Sequence, residues 1–506
     1  MISIYQFGTF DVPNYGDLLF PLLAQHRLAA LGVNIVAMSP IGGGPVWKDC
    51  IPSSGIDTID CISSPDGVLI GGGNIITLSP THLPAYNRCP TALLAYPDIW
   101  VGACRLAMND VPVLWNAPGV PEQFSPDKRP FVKECLERSL YVSVRDEQSR
   151  DFLLECCPEK EIFVFPDPAW VTTELWENSE LFESYEGIFK RRNQKIPERS
   201  IVVHLNSRYM SGAANQEIAF LLDETAKKLD ARIILVAMGP CHLIDELARE
   251  VGKIMRSNPV IIDQPLSLKE VTSCLANATA YIGSSMHGLI ISASFAVPGI
   301  CVTDGKKTKI KGLKQQFNSE DTWFQSWKIA IDQLASMNFE QKKIQLTDIT
   351  RKMQDRVNEH WKNISDLLQK YINKKHTETD KEACYKQSKI FWKGRTELTA
   401  IEALTKISLE NRKEREISNL RTIISEKEKA NVQYRDELYS VYTSCSWRYT
   451  ALLRKIGSVV KKILRLPFHE RVRSMIKRIY FLIPRQIRCT MIMENLKNRF
   501  KNAEIK

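Results

Sequence analysis

A chain of 506 residues, 44% hydrophobic and 25% charged, is longer than one hydrophobic core usually supports and too apolar to stay unfolded, so two globular domains with extensions are expected. Its thirteen cysteines are scattered without C-x-x-C pairs or metal-ligand spacing, which argues against a disulfide framework or a structural zinc site and fits reduced thiols in the cytoplasm. The net charge of +10 is local: Arg448–Lys506 holds sixteen Lys/Arg against three Glu, which leaves the preceding 447 residues near −3.

Met1–Phe7 is already a strand-like run, so no basic-then-apolar signal peptide opens the chain. A helix over Leu18–Leu31 and strands at Ile35–Met38 and Gly67–Ile70 follow, the last running into Gly71-Gly72-Gly73-Asn74. Val113–Ala117 and Leu140–Val144 read as strands and Asp146–Glu155 as a helix. The pattern pauses at Phe165-Pro166-Asp167-Pro168, and the polar stretch Glu174–Pro197 suits a domain connection. A second alternating set then runs from strand Ile201–Leu205, through helices at Glu217–Leu229, Ile244–Met255 and Leu268–Ala276 and strands at Arg232–Ala237 and Val260–Ile262, to strand Ala280–Gly283. Alternation of this kind builds βαβ units on parallel sheets. The expected fold is α/β: two facing doubly wound domains, Rossmann-like and GT-B-like, over 1–175 and 195–315, followed by a helical C-terminal extension. That extension divides into a helical segment (316–380), a charged helical or coiled-coil linker (381–443) and a basic tail (444–506). The longest apolar stretch, Gly288–Val302, is too short and too rich in small residues and proline to span a bilayer.

Chemistry concentrates at the expected strand ends, where open α/β sheets bind ligands. In Tyr281–Val302, a buried strand runs into Ser284 and Ser285, both able to cap a helix, and then His287 at the mouth of a strand-to-helix turn. Backbone N–H groups and the positive end of a helix dipole gather there, so anions bind. An imidazole at a helix start can also simply cap or pack. In VPNYGDLL, Asn14 and Gly16 suit a tight turn and Asp17 can cap the following helix. Gly72, Gly73 and Asn74 let a ligand approach the backbone, but the loop lacks both the Lys-Ser/Thr of a P-loop and dinucleotide spacing. In LYVSVRDEQS, Ser143 ends a strand and Arg145 precedes a helix, where its guanidinium could grip a carboxylate or phosphate, or form a salt bridge to the interdomain segment; Asp146 reads as the helix cap. Asn116 and Arg208 follow strands at equivalent ends, whereas His204 lies inside its strand and reads as core.

These motifs, in this order, resemble the polysaccharide pyruvyl transferase family. Asn-x-Gly-Asp after the first strand, Ser-x-Arg-Asp-x-x-Ser, the Asp-Pro turn at Asp167 and Ser-x-x-His before a small-residue helix and Val-Pro-Gly carry the resemblance, over roughly the first three-fifths of the chain. The family commonly has Ser-Arg-Leu-His where this chain has Ser284-Ser285-Met286-His287, so any anion contact made by that Arg must come from elsewhere. The resemblance implies an enzyme that forms a ketal on a sugar of a bacterial surface polysaccharide or its lipid-linked precursor. Phosphoenolpyruvate is the implied co-substrate, with no metal and no other cofactor. His287 would be the general acid, and Arg145, with Arg208, would hold the donor's anions. The interdomain turn at Asp167 is expected to be structural.

Two other classes stay open: a metal-independent GT-B glycosyltransferase, since the chain has no Asp-x-Asp, and a non-catalytic, membrane-docked polysaccharide assembly protein. The tail bears on the last. SCSWRYTALLRKI resembles a segment near the ends of bacterial surface-polysaccharide glycosyltransferases, and Leu452, Leu453, Ile456, Val459, Val460, Ile463 and Leu464 recur at helical spacing between basic residues. Such a helix reads as peripheral binding to an anionic membrane, here the inner face; no nucleic-acid module accompanies it. Ile417–Val441 offers a weak heptad seam for self-association, or a solvated helical linker.

Overall fold

In the computed structural model the described residues are 2–59, 64–80, 83–87, 95–207, 215–242, 244–303, 308–317 and 322–375. They belong to one compact unit, Met1–Glu402; a second unit, Ala403–Lys506, with the heptad seam and the basic tail, lies outside them.

The first half is a five-stranded sheet in the order β3-β2-β1-β4-β5, built from β1 (Ile2–Phe7), β2 (Val33–Ser39), β3 (Ser53–Gly55), β4 (Gly67–Ile70) and β5 (Val113–Trp115). Every pairing is parallel. The short parallel pair β6 (Ser143–Val144) and β7 (Phe163–Val164) lies beside it through a bridge between Leu114 and Tyr141. The second half is a six-stranded parallel sheet in the order β10-β9-β8-β11-β12-β13, with β8 (Ser200–His204), β9 (Arg232–Val236), β10 (Val260–Ile262), β11 (Ala280–Gly283), β12 (Gly299–Val302) and β13 (Trp323–Phe324). In each sheet the strand order reverses beside the first strand, between β1 and β4 and between β8 and β11. A crevice opens at such a point because the two crossover helices leave to opposite faces.

The helices of eight or more residues are α1 (Tyr15–Arg27), α2 (Arg129–Arg138), α3 (Glu147–Leu154), α4 (Asn178–Lys190), α5 (Asn215–Leu229), α6 (Ile244–Ile254), α7 (Leu268–Ala276), α8 (Met286–Ser294), α9 (Thr308–Phe317), α10 (Trp327–Ser336) and α11 (Phe339–Lys375). The polar stretch read as a connection contains α4. Glu177 and Glu180 form a reciprocal capping box at its start, and Leu181, Tyr185, Ile188 and Phe189 are buried, so a helix with one apolar face closes against α7.

Three features tie the halves together. One apolar cluster runs without a break from Ile4 and Leu69 through Trp170 and Phe189 to Ile290 and Leu368. The long helix α11 crosses back, burying Val357, Trp361, Ile364 and Leu368 at helical spacing. Its Thr350 donates to the Ala293 carbonyl of α8, and His360 bonds to Asn116 at the end of β5. Asp49, from the first half, accepts the Leu268 and Lys269 N–H groups at the start of α7 at 2.7 and 2.8 Å.

Candidate active site

The carboxyl ends of β1, β4, β8, β9 and β11 converge on a cavity of about 250 Å³. Both strand-order reversals therefore open on one space. The first half supplies Thr9, Asn14, Asp17, Gly73, Asn74 and Arg145, and the second supplies His204, His242, Ser284, Ser285 and His287. A larger open hollow of about 880 Å³ lies at the amino ends of β8 and β9. Its four cations (Arg199, Lys227, Arg232, Arg256) are matched by four acids (Glu198, Asp223, Glu224, Asp230), and Asp223 already accepts the Arg256 and Ser257 N–H groups. The smaller cavity is where the chemistry gathers.

At the start of α1, Asn14 is the N-cap residue by backbone but makes no side-chain cap. Its amide donates instead to Asp17 Oδ2 at 2.8 Å, and the Thr9 hydroxyl donates to the same oxygen at 2.8 Å. Asp17, expected as the cap, sits inside the first turn and forms part of the cavity wall. Gly73 requires glycine twice over: its φ is +80°, and a Cβ would stand 2.8 Å from Asp17 Oδ1. Gly72 packs under the Phe20 ring, where a Cβ would lie 2.1 Å away, and is not part of the wall.

Arg145 follows β6 and is 3% exposed. Its Nη2 donates to Asn74 Oδ1 at 2.9 Å and its Nη1 to Asp167 Oδ2 at 3.3 Å, while buried Nε has no hydrogen-bond partner. The salt bridge to the interdomain segment thus exists, and the guanidinium still lines the cavity. Asp146 caps α3, accepting from Ser149 N–H at 2.7 Å.

Asp167 holds the centre. Its Oδ1 accepts from Ala169 N–H at 3.1 Å, and its Oδ2 lies 3.5 Å from His287 Nε2. Burial works against the charge, but His287, Arg145 and the Ala169 N–H outweigh it and hold the carboxyl below its usual range. His287 is the second residue of α8. Phe20 meets its ring edge-on, 5.7 Å between centroids, and Gly16 lies against Nδ1 so closely that a Cβ would be 1.8 Å away. Ser285 caps α8 by accepting from Gly288 N–H at 3.2 Å. The Ser284 hydroxyl, on a residue 5% exposed, has no hydrogen-bond partner and borders the cavity.

Two further expected residues lie behind the wall. Ser143 is a strut: its hydroxyl donates to the Trp115 carbonyl at 2.6 Å and accepts from Ala117 N–H at 3.0 Å. Asn116 is fully buried behind the wall, its Oδ1 accepting from His360 Nε2 at 3.0 Å. Arg208 lies outside the described residues. Conversely, His204, read as core, borders the cavity while its Nδ1 donates to the Val236 carbonyl at 3.0 Å, and His242 joins from the turn after β9. Their positions at strand ends were the available signal. Among the described residues no three His, Cys, Asp or Glu side chains converge as a metal site.

The polysaccharide pyruvyl transferase family model matches residues 14–305, more than half of the chain, from Asn14 through the strand that follows α8. The chain belongs to that family. It is accordingly a transferase of polysaccharide biosynthesis, and the family segment contains both walls of the cavity. No curated protein matches it. Solved structures that are similar at low identity include the UDP-GlcNAc 2-epimerase of Methanocaldococcus jannaschii (15% identity, covering 67% of this chain and 94% of that one, TM-score 0.41). A putative UDP-N-acetylglucosamine 2-epimerase from Listeria monocytogenes (13%, 68% and 90%, TM-score 0.43) and the wall teichoic acid polymerase TagF (12%, 74% and 90%, TM-score 0.44) are others.

Proposed function

We propose that the chain transfers the pyruvyl group of phosphoenolpyruvate to two hydroxyls of a sugar in a bacterial surface polysaccharide or its lipid-linked precursor, closing a ketal. The observation that carries this reading is the Arg145–Asp167–His287 array at the amino end of α8, beside the unpartnered Ser284 hydroxyl. The donor's methylene carbon must take a proton while a sugar hydroxyl attacks the adjacent carbon. A second hydroxyl then displaces phosphate, whose departing oxygen takes up the remaining proton. His287 acts as the acid. Arg145, the Ser284 hydroxyl and the α8 amino end face the donor's carboxylate and phosphate, compensating for Ser285 where the family commonly has Arg. Asn14, Asp17, Gly73 and Asn74, on the opposite wall, face the acceptor. No step calls for a metal.

The reading extends to location. The protein works in the cytoplasm, with Trp447–Leu466 against the anionic inner face of the membrane and 401–441 available for self-association. No helix among the described residues is long and apolar enough to cross a membrane; the surface attachment rests on the basic, amphipathic spacing of the tail sequence. The test incubates the full chain with phosphoenolpyruvate and a series of lipid-linked sugars, beside a panel of sugar nucleotides. Acceptor-dependent phosphate release from phosphoenolpyruvate is expected; turnover of a sugar nucleotide instead overturns the reading.

A further inference from the structure

The two nitrogens of His287 have unlike neighbours. Nε2 lies 3.5 Å from Asp167 Oδ2, an ion-pair separation rather than a formed hydrogen bond in the ligand-free protein, and Gly16 packs over the ring at Nδ1. The ring has little freedom to exchange them, because Phe20 meets it edge-on and its side chain is only 13% exposed. Asp167 is more constrained still. Its side chain is 3% exposed, Oδ1 is held by Ala169 N–H at 3.1 Å, and Oδ2 is held by Arg145 Nη1 at 3.3 Å. Arg145 is anchored in turn by Asn74 Oδ1 at 2.9 Å. A rigid carboxylate thus faces one imidazole nitrogen, while a glycine backs the ring at the other.

We propose that Asp167, which follows the interdomain turn, is the positioning residue of His287: it holds the proton on Nε2 and so makes Nδ1 the nitrogen that gives up and regains the transferred proton. Gly16 lets the ring sit against α1, since a Cβ there would stand 1.8 Å from Nδ1, 2.2 Å from Cε1 and 2.4 Å from Cγ. A carboxylate that fixes one ring N–H sets the tautomer and stabilises the imidazolium without itself being protonated. The inference rests on the phosphoenolpyruvate reading only for what receives the proton. In that reaction Nδ1–H passes to the donor's methylene carbon, and the π pair of the double bond becomes the new C–H bond. The N–H pair stays on Nδ1, and the electron-poor carbon left behind takes the sugar oxygen. The other titratable groups around the ring are Asp17 from α1, Arg145 after β6, His204 at the end of β8, His242 after β9 and Tyr96 on the same wall. Asp167 forms an ion pair with the ring at 3.5 Å.

The test uses the full-length, ligand-free protein with ¹⁵N-labelled histidine, the His287 signals being identified by their loss in His287→Gln. The neutral wild-type imidazole is expected to carry its proton on Nε2. Asp167→Asn, which keeps the shape but can present an amide N–H, should lose that preference, and Asp167→Glu should restore part of it. Kinetically, Asp167→Asn should lower kcat by at least about tenfold, with KM for phosphoenolpyruvate little changed. A wild-type ring protonated on Nδ1, or a tautomer unmoved in Asp167→Asn, overturns the proposal. The wild-type spectrum alone decides if a variant fails to fold. If the wild type does not turn over phosphoenolpyruvate but shows the Nε2 tautomer, the functional reading fails while the positioning role of Asp167 stands.

Discussion

At the scale of residues, the site is a short chain of charges in which each member fixes the next. His287→Gln should abolish turnover while calorimetry still finds phosphoenolpyruvate bound and the melting temperature stays near wild type. A fall in melting temperature that tracks the lost activity would instead make the ring a packing residue. Arg145 spans Asn74 and Asp167 with separate nitrogens, and a lysine has one ammonium to offer in their place. Arg145→Lys should therefore weaken donor binding by about 1.5–3 kcal/mol, the usual worth of a charged hydrogen bond; unchanged affinity by calorimetry would leave Arg145 a purely internal brace. His287, Arg145, Ser284 and Asp17 were legible in the sequence because each follows an apolar run that ends in turn chemistry. Asn116 and Ser143 occupy the same kind of position and yet serve the interior. What separates the two groups is the crossing helix and the bend after β5, contacts between residues far apart in sequence that no local pattern encodes. His204 shows the converse: an imidazole at the last position of a buried strand is core, as read, and still borders the cavity once the opposite wall is in place.

At the scale of elements, the halves are joined by polar contacts as specific as those of the site. Asp49 satisfies two orphan N–H groups of α7 from across the interface, so Asp49→Ala should cost about 1–2 kcal/mol, read as a lower denaturation midpoint. An unchanged midpoint would mean that Ser267, which accepts from Glu270 N–H, caps the helix alone. His360 of α11 is fully buried between Asn116 and Tyr141, and burial holds its imidazole neutral down to about 3, from an ordinary 6.5. The unfolded chain takes up that proton below 6.5 and the native state does not, so this contribution is complete above 6.5 and is lost as pH falls toward 3. The loss amounts to at most about 1.4 kcal/mol per pH unit. Between about pH 7.5 and 5 the melting temperature should fall less in His360→Gln than in the wild type; parallel curves would contradict it. The strands were readable from their apolar runs, since both faces of a parallel sheet are covered. Helix α4 was not, because half its surface is charged and its apolar face shows only at a spacing of three and four within a polar stretch.

At the scale of the whole molecule, two sheets of like strand order place their reversals on one cavity, and α11 straps the halves together behind it. The alternation of strand and helix patterns foretold the two sheets. The strap lay beyond what periodicity could assign, because an amphipathic stripe does not say which surface will cover it. The basic tail should give the full chain binding to anionic vesicles that weakens as salt rises, each Lys or Arg near the surface adding about 1 kcal/mol. Equal sedimentation with neutral vesicles would point to a docking element for protein instead. The reaction itself is tested most directly in D₂O, with phosphoenolpyruvate and a lipid-linked sugar acceptor, wild type beside His287→Gln, and the product read by mass spectrometry and NMR. The wild type should yield a cyclic ketal whose methyl group carries one solvent deuteron, with phosphate released in equal amount, and the variant should yield neither. A product without the ketal, a methyl group without deuterium, or full activity in His287→Gln would contradict proton delivery by His287 to an enolpyruvyl donor.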